Sequence, residues 1–122
     1  MAFTFLRPIL YTKDIRSTIE FYTGTLGFLL LEYNEAWQWA SLKKDEVEIM
    51  LGVMNEHIAL KEPGFSGSLY INVSNVNELW EQLQHKANIC YAIDNFDWEM
   101  REFAIYDNNG YVIQFGQPVA SL

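Results

Sequence analysis

The sequence predicts an α+β fold in which two βαβββ modules follow each other, each a curved mixed sheet with one helix. The first observation is an internal repeat, because residues 6–52 and 67–116 have the same layout at an offset of about 60 positions. The second is that each half opens with an apolar strand that ends at a helix-capping residue, Asp14 or Asn75. A sheet with one helix has an open face, which must be covered or must enclose a ligand.

The first module begins with a predicted strand over residues 6–12. Asp14 then caps an amphipathic helix over residues 15–22, whose apolar positions fall on one face. Three strand-like runs follow, with a turn at 43–46 between the last two; they cover residues 28–33, 37–42 and 47–53.

The second module repeats this order after a linker at residues 54–66, so that the single domain divides into modules 1–53 and 67–122. Asn75 caps the helix predicted for residues 76–84. The predicted strands cover residues 68–73, 89–93, 101–106 and 111–115, with an irregular segment at 95–99 and a hairpin turn at 107–110. Aligning the last hairpins of the two modules matches Trp39 with Phe103, so we expect Trp39 to be a core residue.

Composition and charge restrict the function classes. The 122 residues are 50% hydrophobic, which is enough for a core, and no run of apolar residues is long enough to span a membrane. The net charge of −8 argues against nucleic acid as a partner and is compatible with a cationic ligand. A single cysteine, Cys90, and an N-terminus without a signal-peptide pattern predict a cytoplasmic protein. We expect Cys90 to be a buried small hydrophobe.

Two motifs carry a family resemblance. They are Asp14-Ile15-x3-Ile19-x-Phe21-Tyr22-x3-Leu26-Gly27-Phe28 and Asp107-x-x-Gly110-x3-Gln114-Phe115. This pattern resembles the glyoxalase/bleomycin resistance/dioxygenase superfamily, also called vicinal oxygen chelate proteins, over essentially the whole chain. The resemblance implies that superfamily's fold, which hosts isomerases, dioxygenases, thiol transferases and pure drug-binding proteins.

The resemblance also implies where a metal would bind. In the family's enzymes, side chains from the first and last strands of each module hold a divalent metal. The residues at these ligand positions here are Arg7, Met50, Ser68 and Gln114. Arginine is a permanent cation, methionine suits soft metals, and Gln114 alone is a poor candidate ligand. Glu48 could be an inward carboxylate, although we favour a solvent-facing position. We therefore expect no metal and no cofactor.

No nucleophilic or acid–base group is predicted. His57 falls in the linker and is expected to be exposed, and His85 at the end of the second helix is expected to interact with the helix dipole. Without a base beside a nucleophile, we predict no catalytic residues. The enzyme alternative is a metal-dependent lyase or dioxygenase, and a third possibility is a degenerate interaction module.

A binding surface is the remaining functional prediction. Exposed aromatics beside carboxylates suit a planar cation, whereas the alternative is that these aromatics only pack the sheets. The segment from Trp98 to Gly110 resembles the C-terminal stretch of bleomycin resistance proteins, with Glu99 in place of their glycine and Asn108 in place of their proline. The resemblance implies a metal-free homodimer that sequesters a cationic drug, with Trp98 stacking and Trp37 lining the groove. The predicted ligand-binding residues are Trp37, Trp98, Glu32, Glu35, Asp94, Asp97, Glu102, Met50 and Gln114.

Assembly as a homodimer is expected from the same resemblance, because such modules often close across a two-fold axis. Pro8 cannot donate to a strand ladder, so the first strand should lie at a sheet edge or at a hinge. Related proteins exchange this N-terminal arm between subunits, and we expect the same here.

Overall fold

The computed structural model describes residues 1–54 and 61–122. These form two compact units, Met1–Pro63 and Gly64–Leu122. Within the described residues, each unit contains one four-stranded mixed sheet and one α-helix. The predicted α+β fold of two βαβββ modules is therefore confirmed.

The first unit contains a sheet with strand order β1-β4-β3-β2, in which β1 is parallel to β4 and the other neighbours are antiparallel. Its elements are β1 (Ile9–Thr12), α1 (Ile15–Glu20), a π-helical turn (Phe21–Thr25), β2 (Leu29–Asn34), β3 (Trp39–Lys44) and β4 (Val47–Val53).

The second unit repeats this topology with strand order β5-β8-β7-β6, and β5 is parallel to β8. Its elements are β5 (Leu69–Asn72), α2 (Val76–Leu83), β6 (Asn88–Asn95), β7 (Met100–Tyr106), β8 (Val112–Pro118) and a 3₁₀ turn (Val119–Ser121).

Both helices begin at the predicted capping residues. The Asp14 carboxylate accepts from the backbone N–H of Ser17 at 3.2 Å, and the Asn75 side chain accepts from that of Glu78 at 3.1 Å. The first helix is shorter than predicted, because its last turn is π-helical and Leu26 N–H donates to Phe21 O at 3.3 Å. The Thr23 hydroxyl donates to Ile19 O at 2.8 Å, a local bond of the kind that competes with the regular helical pattern.

Two strands of the first unit are displaced from their predicted bounds. The first begins at Ile9, after Pro8, and lies at the sheet edge as expected. The third begins at Trp39 rather than Trp37, because residues 35–38 form a turn in which Trp37 N–H donates to the Asn34 side chain at 3.0 Å. It continues to Lys44, since the connection to β4 is a tight turn with Asp45 at a φ of 51°.

Strand register shows which residues of the two units are equivalent. Gly52 and Gly116 occupy matching positions in β4 and β8; Gly52 pairs with Trp39 and Gly116 pairs with Glu102. Trp39 is therefore the counterpart of Glu102, and the prediction that it matches Phe103 is wrong by one residue. The turns of the two hairpins differ in length: two residues separate Lys44 from Val47, whereas five separate Tyr106 from Val112. This difference shifts the alignment of β3 with β7.

Each sheet buries one face against its own helix. In the second unit Phe103 is fully buried and meets Trp80 of α2 with ring centroids 5.1 Å apart. In the first unit the neighbours of Trp39 on the helix-facing side are Ala40 and Leu42, both fully buried, whereas Trp39 is half-buried. Strand alternation therefore places Trp39 on the face turned away from the helix, which we call the far face of each sheet.

Candidate ligand-binding site

A buried carboxylate lies at the centre of the far face of the second sheet. Glu102, on β7, is 0% exposed. Its Oε1 accepts from the Tyr70 hydroxyl at 2.8 Å and from the Trp98 indole Nε1 at 2.7 Å. Its Oε2 accepts a short hydrogen bond from the Tyr91 hydroxyl. Charge-assisted hydrogen bonds of this kind offset the cost of removing a carboxylate from water.

The strands explain why these side chains meet. Tyr70 is opposite Gln114 in the parallel pair β5–β8, and Glu102 is opposite Gly116 in the pair β7–β8. A Cβ atom at position 116 would lie 2.1 Å from the Tyr70 hydroxyl. The tyrosine can therefore cross β8 to reach Glu102 only because residue 116 is glycine.

A polar chain extends from the carboxylate along the far face. Gln114 Nε2 donates to the Tyr91 hydroxyl at 3.0 Å, and Gln114 Oε1 accepts a short hydrogen bond from Ser68. Burial, followed by the hydrogen bond to Glu102, raises the pKa of Tyr70 to about 12, and burial likewise raises the pKa of Tyr91 to about 12. Both phenols therefore remain protonated donors at neutral pH.

An aromatic pair lies at the exposed end of this network. The Trp98 and Phe96 rings are stacked, with centroids 4.9 Å apart and planes 14° from parallel. Phe96 also meets the Tyr91 ring edge-on at 5.5 Å. Trp98 is nevertheless 60% exposed, so its indole is anchored at the N–H and open to solvent over much of its surface.

The turn that carries Trp98 has an unusual backbone. Phe96 N–H donates to Met100 O at 2.9 Å, and Glu99 between them has a φ of 66°. This left-handed conformation favours glycine, the residue that bleomycin resistance proteins have after the corresponding tryptophan. The irregular segment predicted at 95–99 is thus a compact turn, with residue 95 part of β6.

The predicted site residues of the second unit are brought together. Trp98, Glu102 and Gln114 belong to one hydrogen-bonded network. Asp94 pairs with Glu102 in the β6–β7 ladder and is exposed, as is Asp97 in the turn. Glu102 was expected only to contribute negative potential around a groove, but it is fully buried and accepts a hydrogen bond from the Trp98 N–H.

The tyrosines of this network were missed in the sequence. Tyr70 and Tyr91 lie on different strands and are brought together only by the order β5-β8-β7-β6. The available signal was Gly116, because glycine inside a strand indicates a close approach by another group.

The predicted residues of the first unit lie in the turn between β2 and β3 and on the strands of that sheet. Trp37 is 75% exposed in the turn before β3, and Glu35 in the same turn forms an ion pair with Arg16 at 2.5 Å. This contact raises the pKa of Arg16, and it compensates the negative charge expected of Glu35. Glu32 is exposed opposite Ser41, and Met50 is half-buried.

The positions that would hold a metal have unsuitable side chains. Arg7 lies 3.7 Å from Glu48, and Lys43 lies 3.8 Å from the same carboxylate. Glu48, expected to face solvent, is only 23% exposed in its side chain and is paired with these two cations. Ser68 and Gln114 bind each other. Over residues 1–54 and 61–122, no three His, Cys, Asp or Glu side chains are grouped to hold an ion, so this donor set does not fit a divalent metal.

The remaining candidates are peripheral. His57 lies outside the described residues, and His85 is exposed after α2. Cys90 is half-buried rather than buried, and its hydrogen bond with Tyr106 raises the pKa of that phenol. No helix in the described part of the chain is long and apolar enough to cross a membrane.

Fold and site together define a protein of paired βαβββ modules with a polar, aromatic far face. The chain belongs to the Glyoxalase/Bleomycin resistance protein/Dioxygenase superfamily, whose sequence profile matches residues 4–115. No curated protein matches the sequence significantly.

Solved structures share the fold at low sequence identity. TnmS3, an antibiotic binding protein from Streptomyces sp. CB03234, is 22% identical with a TM-score of 0.78, covering 97% of this chain and 98% of its own. TioX from Micromonospora sp. ML1 is 19% identical with a TM-score of 0.74, covering 94% and 99%. A superfamily member from Nocardioides is 19% identical with a TM-score of 0.78, covering 98% and 86%.

Proposed function

We propose that this protein binds and sequesters a small, planar, cationic aromatic molecule without a metal and without chemistry. The observation that carries the proposal is the arrangement of Trp98, an exposed indole whose N–H is fixed on the buried carboxylate of Glu102. Stacking provides affinity for a flat ligand, and the negative charge at the N–H edge of the ring favours a cation.

Several features of the second unit support a cationic ligand. Asp94 and Asp97 are exposed beside the aromatic pair and add negative potential. The nearby cation, Arg101, is directed elsewhere, since its guanidinium donates to Asn77 and Asn95. TnmS3, which has the same fold, is described as an antibiotic binding protein, so binding of such a molecule by this fold has a structural precedent.

The side chains at the family's metal positions support metal independence. Arg7 cannot ligate, and Gln114 is engaged by Ser68 and Tyr91. The pKa values of the Tyr70 and Tyr91 phenols are raised to about 12, which opposes their activation as nucleophiles.

Titration of tryptophan fluorescence with bleomycin and with simpler planar cations tests this function. Trp98→Ala should weaken binding by about tenfold or more, because a stacked indole contributes on the order of 1–2 kcal/mol. Phe65→Ala is the matched control, because Phe65 is also an exposed aromatic residue, at 54%. Its ring meets Tyr111, which lies in the turn between β7 and β8. Absence of binding to every planar cation would refute the proposal, and unfolding of Trp98→Ala would mean that Trp98 is structural.

Homodimerisation with exchange of the N-terminal arm is part of the same proposal. The arm before β1 exposes apolar side chains, with Phe3 at 96% and Leu6 at 84% exposure, and a second chain could cover them. Trp37, Glu32, Glu35 and Met50 are proposed to line the ligand groove of that assembly. Sedimentation of the full chain should give a dimer at micromolar concentration, and deletion of residues 1–6 should weaken it; a stable monomer contradicts the proposal.

A further inference from the structure

In the part of the chain that the structure describes, no cationic side chain is paired with Glu102. Its hydrogen-bond partners among the described residues, Tyr70, Tyr91 and Trp98, are all neutral. Glu48 on the first sheet is different, because Arg7 and Lys43 lie within 4 Å of it. The field of Glu102 therefore remains uncompensated by its own contacts, and burial limits its screening by salt.

This field reaches solvent through the indole of Trp98. Nε1 donates to Oε1 of Glu102 at 2.7 Å, while 60% of the Trp98 surface is exposed. A hydrogen bond to an anion polarises its donor, which makes the face of the donor's ring more negative. The same face attracts cations through the ring quadrupole, so both effects act in one direction.

We propose that Glu102 is the specificity-determining residue of this site, making Trp98 select planar aromatic cations over neutral planar molecules without itself touching the ligand. This inference rests on the proposed function and adds the ligand class, a heteroaromatic ring that carries a delocalised positive charge. Asp94 and Asp97 are exposed, so salt screens their attraction for a cation.

The expected size follows from the distance. A cation stacked on the indole lies about 6 Å from the carboxylate, and at an effective dielectric near 40 the attraction corresponds to roughly a tenfold gain in affinity. Because Glu102 is 0% exposed, this gain should persist in concentrated salt. The contribution of the exposed Asp94 and Asp97 should instead disappear, and salt therefore separates the two sources of selectivity.

The test compares N-methylacridinium with acridine at pH 8, where acridine is neutral, in low and high salt. In Glu102→Gln, affinity for the cation should fall about tenfold at either salt concentration, while affinity for acridine stays the same. Glu81→Gln, on the exposed side of α2, removes equal charge and should change neither. Trp98→Phe, which retains a stacking ring but lacks the N–H, should lose only the part of the preference for the cation that comes from polarisation of the indole, because the charge of Glu102 remains.

The outcomes distinguish the two proposals. If neither probe binds the wild type, this inference fails, and the proposed function fails with it only when no other planar cation binds. If both bind but Glu102→Gln weakens them equally, Glu102 only positions Trp98 and the selectivity inference is wrong. Should Glu102→Gln fold poorly, the wild type decides, since a preference for N-methylacridinium that disappears in high salt would come from the exposed carboxylates and would overturn the inference.

Discussion

Substitution of Gly116 by alanine should destabilise the second unit far more than the equivalent substitution in the first. A Cβ at position 116 would lie 2.1 Å from the Tyr70 hydroxyl and 2.7 Å from its Cζ, so the ring must move. At Gly52, the counterpart in β4, the nearest atom is Cε1 of Tyr11 at 3.5 Å, an ordinary contact. The two glycines therefore form a matched pair.

The magnitude has two parts. Forcing a side chain into a packed site costs about 1–3 kcal/mol, and losing a hydrogen bond to a charged group costs about 1.5–3 kcal/mol. Partial relaxation of Tyr70, which is 41% exposed, places the total for Gly116→Ala at about 2–4 kcal/mol. Gly52→Ala should be neutral or stabilising by up to about 1 kcal/mol, because alanine loses less backbone entropy than glycine in a strand.

Urea denaturation measures both values as shifts of the midpoint at constant m. Tyr70→Ala provides a double-mutant cycle, because without the ring the extra methyl group at position 116 should be tolerated as it is at position 52. If Gly116→Ala is as stable as Gly52→Ala in the wild-type background, Tyr70 does not approach β8 as closely as described. The hydrogen bond from Tyr70 to Glu102 would then be refuted as well.

Three further predictions concern pH, helix capping and metal. The pKa values of Tyr70 and Tyr91 are raised from 10 to about 12, so their contribution to stability is intact below pH 10 and is lost as the pH rises through 12. Tyr70→Phe should reduce that slope in alkaline denaturation, and an unchanged slope would contradict the assignment. Asn75→Ala should lower the free energy of unfolding by about 1 kcal/mol, with Asn75→Ser restoring it. Protein purified from medium containing Zn, Ni, Mn and Fe should carry no stoichiometric metal by elemental analysis, and one tightly held equivalent would refute metal independence.

The fold could be predicted because its main signals are local. Asp14 and Asn75 are capping residues at the same place in each repeat, and both cap their helices in the structure. The turn at 107–110 also lies between the predicted strands. These features depend on residues that are close in sequence, because capping, strand alternation and turn chemistry all act over short sequence distances.

Register was harder to predict, since it depends on turn geometry. The alignment of Trp39 with Phe103 preserves the apolar pattern, but the short turn at Asp45 and Glu46 changes which residues pair. One residue of slip moves a side chain to the other face of its sheet. A predicted core tryptophan was thus found on the far face.

The site was predicted in part for a related reason. Trp98 and Glu102 are four residues apart, and the sequence indicates both. Tyr70 lies 32 positions before Glu102, and it reaches the carboxylate only across β8. To predict a contact between residues so far apart in sequence, one must know the strand order, the parallel register and the absence of a side chain at Gly116.

The equivalence of Trp39 and Glu102 has an evolutionary consequence. A duplicated module supplies two scaffolds with the same backbone, and each can diverge where its side chains do not maintain the fold. In the first unit the position opposite the β4 glycine is a half-buried indole, and in the second the position opposite the β8 glycine is a buried carboxylate. Descendants of such a duplication can acquire a new ligand in one copy while the other retains its ancestral chemistry.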